Sequence, residues 1–79
     1  MKIPRDVNAS DLIKVLERYG YVFVRQEGSH IRMAKKEVDK THKVTIPCNN
    51  PLKIGTFHKI AKEICIFNEL NTDDFYSQL

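Results

Sequence analysis

Apolar residues recur every three or four positions in two parts of the chain, which predicts two amphipathic helices. The first helix covers about Ala9–Tyr19, with Asn8 suited to cap its start and Gly20 suited to end it. The second begins near Gly55. Its apolar stripe consists of Phe57, Ile60, Ala61 and Ile64. Each stripe predicts packing against a neighbouring sheet.

Three short runs between these helices are typical of strands in an antiparallel meander. The runs, each bounded by turn residues, are 21–26, 30–35 and 42–46. Because side chains alternate along a strand, Ile31 and Met33 fall on one face of the second run. His30 and Arg32 fall on the opposite face, together with Lys43 of the third run. The sheet is therefore predicted to have one apolar face and one basic face.

The end of the chain predicts a short third helix. Pro47 ends the third strand because it has no amide proton, and a polar loop follows it. Near the C-terminus, Thr72 is interpreted as an N-cap, followed by two acidic residues in the first helical turn. Phe75 in this tail is expected to pack on the core.

These elements predict an α+β fold. The expected order is a helix, a three-stranded antiparallel sheet and a helix, with both helices on one face and a short C-terminal helical tail. With 79 residues the chain is expected to form one domain, residues 1–79. The arrangement is similar to that of double-stranded-RNA-binding domains, although a fold alone does not define a function.

The net charge of +3 is concentrated in the middle of the chain. Residues 21–62 hold nine Lys and Arg against three acidic residues, whereas residues 63–79 hold four acidic residues and no Lys or Arg. A cationic region of this kind favours binding to phosphate backbones, although surface lysines also serve solubility alone. With no apolar stretch long enough for a bilayer and no secretory or lipidation signal, we expect a cytoplasmic protein without a membrane partner.

The two cysteines, Cys48 and Cys65, are expected to be reduced thiols, and Cys65 in an apolar helical stretch is expected to be a core residue. A zinc site that adds His42 or His58 is the alternative. The chain lacks the paired Cys or His spacing that zinc sites use, so we expect neither a metal nor a cofactor.

Gly28-Ser29-His30 is the strongest candidate for chemistry. It places an imidazole after a glycine turn, and imidazole, with an ordinary pKa of about 6.5, accepts and donates protons near neutral pH. A solvated strand residue is the simpler interpretation of the tripeptide alone. Ser29 can bond the turn backbone or contact a substrate.

A set of short motifs extends this tripeptide over most of the chain. In order, they are Gly20-Tyr21, Arg25, Gly28-Ser29-His30, Thr45-Ile46-Pro47, Pro51-Leu52 and Gly55-Thr56-Phe57 with Ile60. The set resembles the HicA-type (YcfA-like) toxin family over about residues 10–66. The resemblance implies a small ribonuclease that cleaves mRNA and is silenced by a HicB-type antitoxin, with His30 as its catalytic residue and Gly28 as its turn glycine.

One position departs from the family pattern. Many members carry a histidine two positions after the strand-ending proline, where this chain has Asn49. Asparagine can form hydrogen bonds but cannot transfer a proton in this role. If this loop assists catalysis in other family members, its contribution to catalysis would therefore be weaker in this chain.

The expected reaction uses the ribose 2′-OH as the nucleophile. His30 can then act as the base or as the acid, and cations must stabilise the charge on the phosphorus centre. Arg25, Arg32 and Lys43 are the candidates for phosphate binding, with Ser29 as a further candidate for RNA contact. The acidic residues show no ligand pattern for magnesium, which favours a metal-independent reaction.

Two other functions stay open at this stage. The chain could be a non-catalytic module that binds double-stranded RNA, although such modules concentrate lysines at the start of the last helix, whereas Lys59 and Lys62 are spread along it. It could also be a degenerate toxin that acts only through a partner, as the substitution at Asn49 hints.

Overall fold

The helices and strands follow the predicted order. A computed structural model describes Pro4 and residues 6–79. The elements are α1 (Ala9–Arg18), β1 (Val22–Glu27), β2 (His30–Lys36), β3 (Thr41–Pro47), α2 (Ile54–Asn68) and α3 (Thr72–Tyr76). The strands form one antiparallel sheet in the order β1-β2-β3, with β2 in the centre. The predicted α+β fold with its short helical tail is confirmed.

The start of α1 has the predicted cap. The backbone carbonyl of Asn8 accepts hydrogen bonds from the amides of Asp11 and Leu12, while the amide of Asn8 donates to the Asp11 carboxylate at 3.2 Å. The helix ends at Arg18, one residue before the predicted end, and Gly20 follows in a left-handed conformation with φ of 94°. Local capping therefore sets both ends of α1.

The core lies between the helices and one face of the sheet. Met33, Val44 and Ile46 supply the sheet side and are at most 5% exposed, as the alternation predicted. The helices cover them with a buried set that comprises Leu12, Val15, Leu16, Phe57, Ile60, Ala61, Ile64 and Cys65. Burial of this apolar area is the main contribution to the stability of the fold. Because the helices lie on one side of the sheet, the opposite face is exposed to solvent.

The C-terminal helix corrects one prediction. Asn71, not Thr72, is the N-cap of α3, and its side-chain oxygen accepts hydrogen bonds from the amides of Asp73 and Asp74 at 2.8 and 3.3 Å. Asparagine is among the best N-caps because its short side chain reaches these amides, and Thr72 becomes the first helical residue. Phe75 is fully buried, as predicted.

The β1 edge strand is exposed along its whole length. Its pairing with β2 shifts by one residue between Phe23 and Arg25, which places an extra residue, Val24, in a bulge. No helix among the described residues is long and apolar enough to cross a membrane.

Candidate active site on the exposed sheet face

A two-residue hairpin turn carries the candidate histidine. Gly28 has a φ of 58°, a left-handed conformation that favours glycine, and Glu27 and His30 form the strand pair that closes the turn. A Cβ added to Gly28 would meet no atom within 4 Å. The turn therefore requires glycine for its backbone conformation and not for space.

Backbone hydrogen bonds join the turn to the loop after β3. The carbonyl of Ser29 accepts from the amide of Cys48 at 2.7 Å, and the side-chain amide of Gln26 donates to the carbonyl of Gly28 at 3.0 Å. Asn49 therefore follows directly after a residue bonded to the turn. Its own side chain is exposed, while its carbonyl accepts from the amide of Ala9 at 3.4 Å.

His30 is the first residue of β2 and is exposed. Its neighbours across the sheet are Glu27 on β1 and Pro47 on β3. Among the described residues, the ring has no hydrogen bond or ion pair, and the same holds for the hydroxyl of Ser29. Both side chains are thus accessible to a ligand from solvent.

An ion-pair cluster lies beside His30 on the same face. Arg25 pairs with Arg32 across the sheet, and both guanidinium groups contact one carboxylate oxygen of Glu27. The Arg25 Nε to Glu27 Oε1 distance is 3.4 Å, and Arg32 Nε also contacts Oε1. One acid therefore partly neutralises two cations at the end of the sheet where His30 lies.

Glu27 is a candidate site residue that the sequence pattern did not single out, because the predicted first strand ends at residue 26 and leaves Glu27 between the strands. Two sequence signals could have identified it. A two-residue loop places the residue before Gly28 opposite His30, and residues two apart on a strand, such as Arg25 and Glu27, share a face.

The three predicted phosphate ligands line one shallow groove of about 270 Å³ on the exposed face. Its lining includes Val24, Arg25, Arg32, Ala34, Lys43 and Thr45. His30 lies outside this groove, two residues from Arg32 on the same strand and face, which is about 7 Å along β2. The structure thus brings Arg25, Arg32 and Lys43 together and places His30 at one end of the cationic surface.

The cationic surface continues around the β3 edge. Lys43 also lines a second groove of about 400 Å³ between β3 and α2, where Thr56, Lys59 and the acidic Glu63 contribute from the helix. Pro47, the cross-strand neighbour of His30, lines the same groove. An extended polyanion could therefore contact cations on both sides of this edge.

His42 lies near the opposite end of the sheet and has a structural role. Its Nδ1 is 2.6 Å from the hydroxyl of Tyr21, and its ring stacks on Phe67 at a centroid distance of 4.9 Å. The Tyr21 oxygen accepts a hydrogen bond from the side-chain amide of Asn68 at 3.1 Å, so its own proton can be donated to a neutral His42 ring. Burial lowers the pKa of His42, while the Glu63 carboxylate acts in the opposite direction.

The cysteines and remaining histidine do not form a metal centre. Cys65 is buried in the core, as predicted, and burial raises the pKa of its thiol, whereas Cys48 is exposed. His58 is exposed on α2, with Nδ1 3.3 Å from the hydroxyl of Tyr76. The described part of the chain holds no group of three or more His, Cys, Asp or Glu side chains that could bind an ion.

Comparison with protein families gives one match. A family model described as the HicA toxin of bacterial toxin-antitoxin systems matches residues 9–66. Neither the curated proteins nor the solved structures gave a match. The matched range covers α1, the whole sheet and most of α2, and it includes the His30 turn and the cationic groove. The family predicted from the motifs is confirmed: this chain belongs to the HicA toxin family of bacterial toxin–antitoxin systems.

Proposed function

We propose that this chain is an endoribonuclease toxin that cleaves mRNA, with His30 as its acid/base residue, and that a HicB-type antitoxin inhibits it. One observation carries the proposal: in a chain of the HicA family, an exposed imidazole shares a sheet face with a groove lined by three cations. The cations supply sequence-independent affinity for the RNA backbone, and the imidazole supplies proton transfer.

The proposed reaction uses the ribose 2′-OH as the internal nucleophile. A base removes its proton, the 2′ oxygen bonds to phosphorus, and the bond from phosphorus to the 5′ oxygen breaks. An acid returns a proton to that 5′ oxygen, which leaves a 2′,3′-cyclic phosphate and a 5′-hydroxyl. His30 fills the first or the last of these roles. Arg32, about 7 Å along the strand, is suited to the negative charge of the phosphorane.

We propose that the reaction needs no metal ion. The carboxylate nearest to His30 in the sheet register is that of Glu27, and two guanidinium groups already contact it. These cations would compete with magnesium for the same oxygen. The internal nucleophile also removes the need for a metal-activated water.

The antitoxin is proposed to cover the His30 turn and the basic face. Arg25, Arg32 and Lys43 are opposed on this face by Glu27, so a partner with carboxylates would complement the remaining charge. Their association should weaken as salt concentration rises. Both mRNA and such a partner imply action in the cytoplasm.

Cleavage of a defined transcript tests the proposal. The purified chain should cut the transcript in excess EDTA and leave 2′,3′-cyclic phosphate ends. His30→Ala should lower the rate by about 10²–10⁴-fold, as expected for loss of an acid/base residue. His58→Ala is the matched control, because it removes an exposed imidazole on α2, and it should leave the rate close to that of the wild type.

Three results would contradict parts of the proposal. RNA binding without cleavage by the wild type would favour a non-catalytic RNA-binding module. Cleavage that requires magnesium and survives His30→Ala would overturn the mechanism. If the wild-type chain arrests growth and co-expression of a HicB-type antitoxin does not restore it, the proposed inhibition by this antitoxin is wrong.

A further inference from the structure

Three consecutive apolar residues are exposed on the β1 edge strand. Val22, Phe23 and Val24 are 61%, 59% and 55% exposed, and the other exposed large apolar residues of the described chain, Val38, Ile54 and Ile66, are separated from one another along the sequence. A run of exposed apolar residues on an edge strand is a liability for association unless it serves an interface. We call these three residues the β1 strip.

The β1 strip faces both sides of the sheet. Phe23 pairs with Met33 and therefore lies on the helix side, but the helices do not reach far enough to cover it. Val22 pairs with Ala34 on the basic side, and Val24 in the bulge lines the cationic groove. An occupant of the whole strip must therefore wrap around the β1 edge.

The geometry favours a protein over RNA as this occupant. RNA binding uses cations and stacked aromatic rings, whereas the basic-side members of the strip are aliphatic. The one aromatic ring, that of Phe23, lies on the opposite side of the sheet from Arg25, Arg32 and Lys43. RNA bound in the groove would thus leave the ring uncovered.

Charge argues against a second copy of this chain. Two β1 edges brought together would place the Arg25 side chains of both copies at one interface, and the neighbouring Glu27 is already shared between Arg25 and Arg32. The bulge at Val24 also interrupts the regular row of backbone groups that strand addition requires. A partner with apolar side chains next to carboxylates fits both the strip and the adjoining cations.

We propose that the part of the β1 strip outside the groove, Val22 and Phe23, is a contact for the antitoxin that RNA does not use. The inference rests on the proposed antitoxin partner. The partner's apolar side chains cover Val22 and Phe23, and its adjacent carboxylates reach the groove at Val24. The contact makes neutralisation and catalysis separable by substitution.

The test uses the full chain, a HicB-type antitoxin, and a double variant, V22T/F23T. Threonine keeps the tendency to form a strand and removes apolar contact area, and neither position lines the groove. The matched control is V38T/I66T, at two apolar residues that are 106% and 69% exposed elsewhere on the surface. Binding to the antitoxin, RNA cleavage and molar mass are measured for each protein.

V22T/F23T should raise the Kd for the antitoxin about tenfold or more, with RNA cleavage unchanged, and co-expressed antitoxin should no longer restore growth fully. V38T/I66T should bind like the wild type. If thermal unfolding shows that the double variant is unstable, Val22→Thr and Phe23→Thr are measured singly, and each should weaken binding.

Unchanged antitoxin affinity in V22T/F23T would overturn the inference. Loss of RNA cleavage with antitoxin affinity retained would assign the strip to RNA, and a wild-type dimer that becomes monomeric in V22T/F23T would assign it to a second copy. Either result would also overturn it. If instead the wild type neither cleaves RNA nor binds the antitoxin, the proposed function itself fails, which is a different outcome.

Discussion

The Glu27 carboxylate on β1 forms an ion pair with the guanidinium of Arg32 on β2, and the cross-strand neighbour of Glu27 is His30. The same carboxylate oxygen contacts Arg25, so two proposed phosphate ligands are held by one acid when RNA is absent. A phosphate that binds these arginines must compete with Glu27. Under the proposed function, we therefore expect this cluster to set how strongly the face attracts RNA.

Glu27→Gln should strengthen RNA binding. Loss of the negative charge frees two guanidinium groups, and we expect the Kd for RNA to fall about threefold to tenfold at low salt, with a steeper salt dependence. Fluorescence anisotropy in the His30→Ala background measures binding without cleavage. Glu37→Gln is the control, because Glu37 contacts Lys40 at 3.8 Å on a different turn. Equal effects of the two substitutions would disprove the competition.

Gly28→Ala should destabilise the fold by about 1–2 kcal/mol, the cost of a left-handed conformation for a residue with a Cβ. Space does not contribute, since no atom lies within 4 Å of the added Cβ. Urea unfolding gives the free energy. The control Gly55→Ala in the first turn of α2 should be neutral or stabilising by up to about 1 kcal/mol. If Gly55→Ala lowered the free energy of unfolding as much as Gly28→Ala does, the conformational explanation would be wrong.

The free energy of unfolding should fall as the pH drops below about 6.5. Burial lowers the pKa of His42 in the folded state, so the unfolded chain binds this proton more readily. The stability contribution of neutral His42 is complete above the unfolded pKa and is lost as the pH falls toward the lowered folded pKa. Denaturant unfolding between about pH 7.5 and 5.5 measures the slope. His42→Gln should flatten it, and an unchanged slope in this variant would assign the effect to another group.

Phe75→Ala should destabilise the fold by about 3–5 kcal/mol, as expected when a large aromatic residue leaves a packed core. Phe75 is fully buried although it lies beyond the residues that match the family model. Ser77→Ala in the same tail is the exposed control and should change stability by no more than about 0.5 kcal/mol. Similar thermal unfolding of the two variants would mean that α3 is not part of the cooperative core.

Most of the fold could be predicted because its signals are local. The spacing of apolar residues gave both long helices, and the alternation in β2 and β3 gave the buried face that Met33, Val44 and Ile46 form. The N-cap of α3 was misassigned to Thr72 because Asn71 and Thr72 are adjacent and both residue types cap helices. Only the backbone geometry distinguishes them.

The candidate site was only partly predictable. His30 and Arg32 were correctly placed on one face, since residues two apart on a strand share a side. Arg25 was harder to place because a bulge shifts the register of β1, and periodicity does not reveal a bulge. Glu27 was missed because its role depends on which residue closes the turn.

By itself, the sequence determined the order of the elements, the two faces of the sheet, the glycine turn before His30 and the HicA family. These depend on residue spacing and turn chemistry, which act over a few neighbouring positions. Tertiary structure alone decided that Glu27 holds both arginines, that Arg25, Arg32 and Lys43 line one groove, and that the helices leave Phe23 uncovered. Those relationships depend on cross-strand register and on how far one layer extends over another, which residue spacing along the chain does not specify.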